Sequence, residues 1–382
     1  MKQIFCGIDI AKKEKPFKNH NIAILCHPAS VDKELNHILD IDFDANLKAI
    51  FTPQHGLFGH TQANMIEWEG GFIHPKYHVP VYSLYGKTRK PTFDMFAGID
   101  IMIIDLFDIG ARYYTYIWTA MLAMEAANEA EIPVMVLDRP NPIGGKQISG
   151  PILQKGFESF VGLFALPIRH GMTIGEIMKM IHSEMDYTNR LEIVGSIGFK
   201  RGYFDEHDFP WIMPSPNMPT LDTAIVYPGQ CLLEVTNISE GRGTTRPFEL
   251  FGAPFIDSDK MIDLLDIPGA ILRPVSYMPT FDKYDSELVN GAQIHVIDRD
   301  LFDPVYATWE ILRIIRKLYP DEFKWLKPPY EYEYEKLPIE ILLGGNDYLK
   351  LLESDLPYLK ARKRWKKKSL DFSEKRQKYL IY

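Results

Sequence analysis

Short apolar runs recur along the first part of the chain, and polar loops separate them. The runs at residues 21–27, 47–51, 100–105 and 133–137 predict buried strands. Residues 113–130 repeat apolar side chains with the period of a helix, and residues 31–39 predict a second helix with Ser30 as its N-cap. Because strands that alternate with helices form right-handed βαβ units, we expect a Rossmann-like parallel sheet over residues 1–165.

The rest of the chain, residues 166–382, predicts a smaller C-terminal α/β domain. Its predicted strands are residues 191–197, 224–227, 271–275 and 293–297. Thr173 and Glu176 have the spacing of a capping box that opens a helix, and residues 304–318 are amphipathic. A length of 382 residues also favours two domains, because single cores rarely grow beyond about 250–300 residues.

Composition restricts the class of protein. The chain is 46% hydrophobic and 25% charged, which is typical of a globular protein, and its net charge of -8 argues against a broad nucleic-acid surface. No apolar stretch predicts a membrane span, and the N-terminus lacks the layout of a signal peptide. We therefore expect a cytoplasmic protein as the chain is given, or a periplasmic or secreted one if a processed segment precedes it.

Four polar motifs stand out against this α/β background. Two of them directly follow a predicted strand and one begins at a strand's last residue, which is where open α/β sheets build binding crevices. Their Arg, Asp, Asn, Tyr and Gly residues suit a ligand rich in hydrogen-bonding groups, such as a sugar. The motifs are residues 52–57, 105–116, 138–142 and 239–249.

Several residues in the first two motifs have both a functional and a structural interpretation. His55 is either a ligand contact or proton shuttle, or a structural turn residue. Either Asp105 or Asp108 is an acid or base while the other pairs with Arg112, or the pair is only a structural salt bridge. Tyr113, Tyr114 and Tyr116 either present an aromatic wall for a sugar ring or pack in the core, and for Tyr116 we favour the core.

The later motifs add candidate binding residues. Prolines stiffen the loop that carries Asp138 and Asn141, which favours polar recognition over a plain turn. Glu240 and Arg242 lie in a Gly-rich loop that could form an anion nest. Arg169 and Asn217 lie on further rigid polar loops.

The sequence lacks several common metal-binding, nucleotide-binding and catalytic motifs, and its basic run has a structural interpretation. The cysteines form no CxxC pair, so neither a disulfide framework nor a zinc site is predicted. The chain has no G-x-G-x-x-G, P-loop, G-x-S-x-G or H-E-x-x-H, which leaves carboxylate chemistry of the kind used in glycoside hydrolysis. The basic run at residues 360–368 predicts a solvated helical face rather than an anion contact, with Trp365 and Phe372 as anchors.

The ordered motifs resemble one family closely, the exo-β-N-acetylmuramidase family, which was long known only as a domain of unknown function. The resemblance covers essentially the whole chain, from Gly7 to Tyr382. Its supporting strings are residues 80–86, 105–116, 137–142, 167–173, 214–222, 240–249 and 279–281.

The resemblance implies a cleft between the two domains and exo-hydrolysis of terminal β-1,4-linked N-acetylmuramic acid from peptidoglycan fragments, with no cofactor. Members with a Pro-Glu-His-Gly loop offer that Glu as the catalytic residue, whereas this chain has Gln54 there. An amide cannot exchange a proton as a carboxyl group does. Glu67, the nearest carboxylate on the same loop, is therefore the expected substitute, with Gln54 as a substrate contact.

Two other functions are also compatible with the sequence. Gln54 is also compatible with a non-catalytic muropeptide-binding protein derived from this family. A nucleotide-sugar enzyme is the weaker alternative, because the motifs that cradle phosphates are missing.

Overall fold

The computed structural model describes residues 2–62 and 71–382 of the chain. Its strands are β1 (Asn21–Leu25), β2 (Asn46–Thr52), β3 (Phe72–Ile73), β4 (Pro80–Ser83), β5 (Ile101–Ile104), β6 (Val134–Leu137), β7 (Ser149–Ile152), β8 (Pro167–Arg169), β9 (Leu191–Val194), β10 (Leu250–Ala253), β11 (Ala270–Tyr277) and β12 (Val289–Val296). Its α-helices are α1 (Gly7–Glu14), α2 (Tyr116–Glu129), α3 (Ile174–Glu184), α4 (Leu221–Gln230), α5 (Ser258–Ile262), α6 (Pro304–Leu318), α7 (Pro338–Leu343), α8 (Asn346–Glu353), α9 (Tyr358–Ala361) and α10 (Lys366–Arg376).

The central sheet has seven strands in the order β3-β4-β2-β1-β5-β6-β9. All neighbours are parallel except β3, which pairs antiparallel with β4 at one edge. The six parallel strands, counted along the chain, thus follow the doubly wound order 3-2-1-4-5-6. The predicted Rossmann-like fold class is confirmed, and the sheet continues to β9, past the predicted domain boundary near residue 165.

A smaller unit follows the central sheet along the chain. Its antiparallel sheet has the strand order β10-β12-β11, and α6 packs on α4. Asp303 caps α6 by accepting hydrogen bonds from the backbone of Val305 and Tyr306. The helix begins and ends as the amphipathic pattern predicted. No helix among the described residues has the length and apolar character needed to cross a bilayer.

Two predicted elements were wrong. Residues 31–39 do not form a helix, because Ser30 donates to the backbone carbonyl of Asp105 and Val31 pairs with His37 in a single β-bridge. Residues 224–227 belong to helix α4 rather than to a strand. A short apolar run fits a buried helix as well as a buried strand, so hydrophobicity alone could not separate the two.

Two local predictions were confirmed. The side chain of Thr173 accepts from the backbone of Glu176, whose carboxylate in turn accepts from the Thr173 backbone, and this capping box opens α3. The basic run 360–368 keeps its lysines and arginines exposed, while Trp365 is buried against Trp309 with ring centroids 5.9 Å apart. The run is therefore a solvated face held by an apolar anchor.

Candidate active site

A cavity opens where the carboxyl end of β2 meets the loop before α2 and loops from the second half of the chain. Strand β2 ends at Thr52, so the 52–57 motif projects directly into this region. The lining residues are Gln54, His55, Tyr113, Tyr114, Thr115, Val161, Ser215, Asn217, Met218, Tyr227, Glu234, Arg242, Phe248, Tyr330 and Glu331. The cavity and its open mouth together have a volume of about 440 Å³.

Polar groups from the 52–57 and 105–116 motifs, together with Asn217, form one wall. The Thr115 hydroxyl donates to the side-chain oxygen of Gln54 at 2.7 Å, which orients the amide. The Tyr114 hydroxyl is buried and forms no well-aligned hydrogen bond with any described residue, although the side chains of Ser215 and Tyr116 lie near it. Asn217 donates to the backbone carbonyl of Gln62 at 2.6 Å. A buried hydroxyl without a well-aligned partner is a natural contact for a polar ligand.

His55 occupies this wall in its neutral form. Its backbone has φ 68°, in the left-handed region that His tolerates better than most residues. Its Nδ1 lies 3.0 Å from the carbonyl oxygen of Thr61, so Nδ1 carries the proton and Nε2 is the free lone pair. Burial, assisted by the positive charge of Arg242, lowers the pKa of His55 to about 4.

A network of alternating charges forms the opposite wall. Arg242 donates from Nη2 to Glu234 at 2.6 Å, and its Nε lies 3.2 Å from Glu240. Lys283 donates to the other oxygen of Glu240 at 2.8 Å, and Tyr330 donates to Glu234 at 2.8 Å. Burial acts to raise the pKa of Glu240, but Lys283 and Arg242 outweigh it and the net shift is downward. The Glu240 carboxylate is therefore held in the charged form.

Glu331 is a carboxyl group of a different kind. Its side chain is 3% exposed and has no Lys or Arg partner within hydrogen-bonding distance among the described residues. Tyr85 donates to it at 2.9 Å, and the side chain of Gln54 forms a second hydrogen bond with it. Burial raises the pKa of Glu331 to about 7, and the nearby charge of Glu234 adds to that rise.

The structure places several predicted site residues away from this cavity. The predicted pairing of Arg112 with Asp105 or Asp108 is wrong. Arg112 donates to the carbonyls of Pro151 and Leu166 at 3.0 Å each and to that of Leu342, so its burial is offset by backbone dipoles instead of a carboxylate.

Asp105 instead pairs with Arg139, at 2.8 Å between its Oδ2 and Nη2. Asp108 accepts from the backbone of Gly110 and lies 3.3 Å from His170. Both carboxylates therefore have protein partners that fix loops, and neither lines the cavity.

Three further candidates also hold loops together. Asp138 accepts hydrogen bonds from Thr173 and Tyr382, and burial raises its pKa to about 6. Asn141 donates to the carbonyl of Met172, and Arg169 to that of Ile143. Glu67 lies outside the described residues.

Of the predicted site residues, the cavity therefore gathers Gln54, His55, Tyr114, Asn217 and Arg242, while Glu240 supports it from behind Arg242. Tyr113 also lines it, and Tyr116 lies in the core as predicted.

Sequence reasoning missed Glu234 and Glu331. Glu331 stands in an alternation of Tyr and Glu at residues 330–335, where the three glutamates look equivalent. Only the fold shows that Glu331 is buried and that Glu335 is exposed. The useful signal would have been the prolines at 328 and 329, which mark this string as a fixed loop.

The described residues contain no group of three His, Cys, Asp or Glu side chains arranged to hold a metal ion. Cys6, Cys26 and Cys231 are buried, and burial raises the pKa of each thiol. They are core residues rather than nucleophiles.

The chain is similar to proteins of known family along its whole length. Family models described as the N-terminal and C-terminal parts of exo-β-N-acetylmuramidase NamZ match residues 22–222 and 225–382. The peptidoglycan β-N-acetylmuramidase NamZ of Bacillus subtilis (strain 168) is 42% identical over 386 aligned positions, which cover 98% of this chain and 91% of that protein.

Two crystal structures of DUF1343 family proteins from Bacteroides fragilis share the fold. One has a TM-score of 0.89 at 31% identity, and the other a TM-score of 0.74 at 27% identity. Each alignment covers 100% of this chain and 99% of the other.

The environment of His55 predicts its titration. Because its folded pKa is about 4, below the ordinary value of 6.5, we expect the imidazole to stay neutral down to about pH 4. Stability linked to His55 is full above pH 6.5 and falls as the pH drops toward 4. NMR titration of the histidine side chains measures this, with His55→Gln identifying the signal. A His55 midpoint near 6.5 would contradict the buried, cation-flanked site.

Proposed function

This chain belongs to the exo-β-N-acetylmuramidase family, and on that premise we propose how its cavity performs the family's reaction. It is a glycoside hydrolase that releases terminal β-1,4-linked N-acetylmuramic acid from peptidoglycan fragments. The enzyme from B. subtilis is named for β-N-acetylmuramidase activity on peptidoglycan. The similarity covers both halves of the chain, so the complete cavity is within the shared region.

One structural observation supports this function: two buried carboxyl groups with different partners face one cavity. Glu234 is ion-paired with Arg242, whereas the described residues that hydrogen-bond to the Glu331 side chain, Tyr85 and Gln54, are neutral donors. Glycosidases typically use one carboxyl group that gives a proton and a second that remains negative beside the anomeric carbon. The cavity supplies this unequal pair.

The substrate class follows from the charge of the opposite wall. N-acetylmuramic acid differs from N-acetylglucosamine by a lactyl ether that carries a carboxylate. Arg242 uses Nε and Nη2 for its two glutamates, while Nη1 has no protein partner within residues 2–62 and 71–382. That nitrogen is the donor we assign to the lactyl carboxylate, and the Tyr114 hydroxyl, which lines the same cavity, is a second donor for the sugar.

A direct assay tests the function. The purified protein should hydrolyse a chromogenic β-N-acetylmuramide and a disaccharide with terminal N-acetylmuramic acid, and should act far more slowly on the matching β-N-acetylglucosaminide. Chromatography of the products should show free N-acetylmuramic acid. Binding of the disaccharide without turnover at any pH from 5 to 9 would instead identify a muropeptide-binding protein.

Arg242 should determine the preference for the muramyl sugar. A hydrogen bond between charged groups contributes roughly 1.5–3 kcal/mol, or about 10–150-fold in discrimination. Arg242→Lys keeps the positive charge but loses the planar fork. We expect it to lower the muramide-to-glucosaminide ratio of kcat/KM by about tenfold or more, and Arg242→Ala to lower it further.

Stability measurements must accompany these variants. Arg242→Ala leaves Glu234 and Glu240 short of a cation, and breaking a buried pair costs about 3–5 kcal/mol. The exposed Arg190→Lys is the matched control and should behave as the parent protein. A folded Arg242→Lys variant with an unchanged sugar preference would remove Arg242 from substrate recognition.

A further inference from the structure

We propose that Glu331 is the general acid of this enzyme and that Tyr85 and Gln54 position its carboxyl group. The proposal rests on the hydrolase function above and names the group that protonates the leaving oxygen. It places the acid on a loop of the C-terminal half, whereas the polar motif at the end of β2 supplies Gln54 as a hydrogen-bond donor to that acid.

The geometry around Glu331 is built from both halves of the chain. Tyr85 follows β4 of the central sheet, is 1% exposed and donates to Oε2 of Glu331. Gln54, held from its other side by Thr115, contacts the same carboxyl group. The backbone of Glu331 has φ 46°, in the left-handed region that a residue of this type rarely adopts. Such an unfavourable conformation persists only where surrounding contacts fix it.

The other ionisable groups of the cavity are less suited to donate a proton. His55 is neutral at pH 7 and offers a lone pair to the cavity, and Gln54 has no exchangeable acid proton. Glu234 and Glu240 are ion-paired with Arg242. Glu331 is the carboxyl group of this cavity that has no ionic partner within hydrogen-bonding distance among the described residues.

The protonation state of Glu331 suits a general acid. Burial and the neighbouring Glu234 raise its pKa, while Tyr85, Gln54 and Arg242 oppose the rise and leave it near 7. A general acid works best when its pKa lies near the pH at which the enzyme operates. A large fraction of Glu331 therefore carries its proton at neutral pH.

The Glu331 carboxyl group gives its proton to the glycosidic oxygen while the bond from that oxygen to the anomeric carbon breaks, and the bonding electrons stay with the oxygen. The Glu234 carboxylate stabilises the positive charge that develops on the sugar ring. Water then adds its hydroxyl to the anomeric carbon, and its remaining proton returns to Glu331.

Two substrates with different leaving groups separate acid catalysis from a structural role. A disaccharide needs protonation of its leaving oxygen, whereas a 4-nitrophenyl glycoside leaves readily without it. We expect Glu331→Gln to lower kcat/KM about 10²–10⁴-fold on the disaccharide and much less on the nitrophenyl muramide. The basic limb of its pH profile on the disaccharide should also disappear.

Glu335→Gln is the matched control, because it makes the same change on an exposed side chain of the same loop. It should leave both rates and the melting temperature unchanged. An equal loss on both substrates by Glu331→Gln, or full activity on the disaccharide, would overturn the proposal.

A second variant tests the positioning residue without removing the acid. The Tyr85 hydrogen bond lowers the pKa of Glu331, so Tyr85→Phe should raise that pKa and move the basic limb of kcat/KM to higher pH. An unmoved limb in a folded variant would also overturn the proposal. If the parent protein itself cleaves neither substrate, the hydrolase function fails instead.

Discussion

Burying carboxyl groups is the constraint on which the cleft depends. An ionised carboxylate removed from water must gain a cation, hydrogen bonds or a proton, because desolvation of an uncompensated charge is prohibitive. Glu234 and Glu240 are compensated by Arg242 and Lys283. Within the described part of the chain, the Glu331 carboxyl group has the neutral donors Tyr85 and Gln54 as its hydrogen-bond partners, so near neutral pH it keeps a proton for much of the time. The cavity therefore contains Glu234, which is ion-paired with Arg242, and Glu331, which can release a proton.

Buried hydrogen bonds and one ion pair also decide where the cavity lies on the sheet. In a doubly wound sheet the usual crevice lies between β1 and β5, where the strand order reverses. Here His27 fills that position, with Nδ1 donating to the carbonyl of Pro214 and Nε2 accepting from the backbone of Phe107. Arg139 and Asp105 close the rest of it. The open space is displaced to the end of β2, where loops from the second half of the chain complete it.

The sequence was a good guide to the sheet and to this edge of it. Strands β1, β2, β5 and β6 were read from apolar runs, because strands buried on both faces are continuously apolar. The motif containing Gln54 and His55 was placed correctly after β2. Arg242 was singled out from its glycine-rich loop, although its two glutamate partners were not foreseen.

Side-chain pairing was the part that the sequence could not supply. In the sequence Asp105 has the features of a catalytic carboxylate, but in the fold it pairs with Arg139, which lies 34 positions away along the chain. Glu331 looks like any other glutamate of its loop until Tyr85 and Gln54 enclose it. Both facts depend on contacts between distant segments, which leave no local pattern in the chain.

A structure of the enzyme with a non-hydrolysable, sulfur-linked muramyl disaccharide tests the central claim most directly. A carboxyl oxygen of Glu331 should lie within hydrogen-bonding reach of the bridging sulfur, with the lactyl carboxylate on Arg242 and Tyr85 still bound to the acid. A bridging atom that instead faces another carboxyl group, with Glu331 turned away from the sugar, would contradict the assignment of Glu331 as the acid.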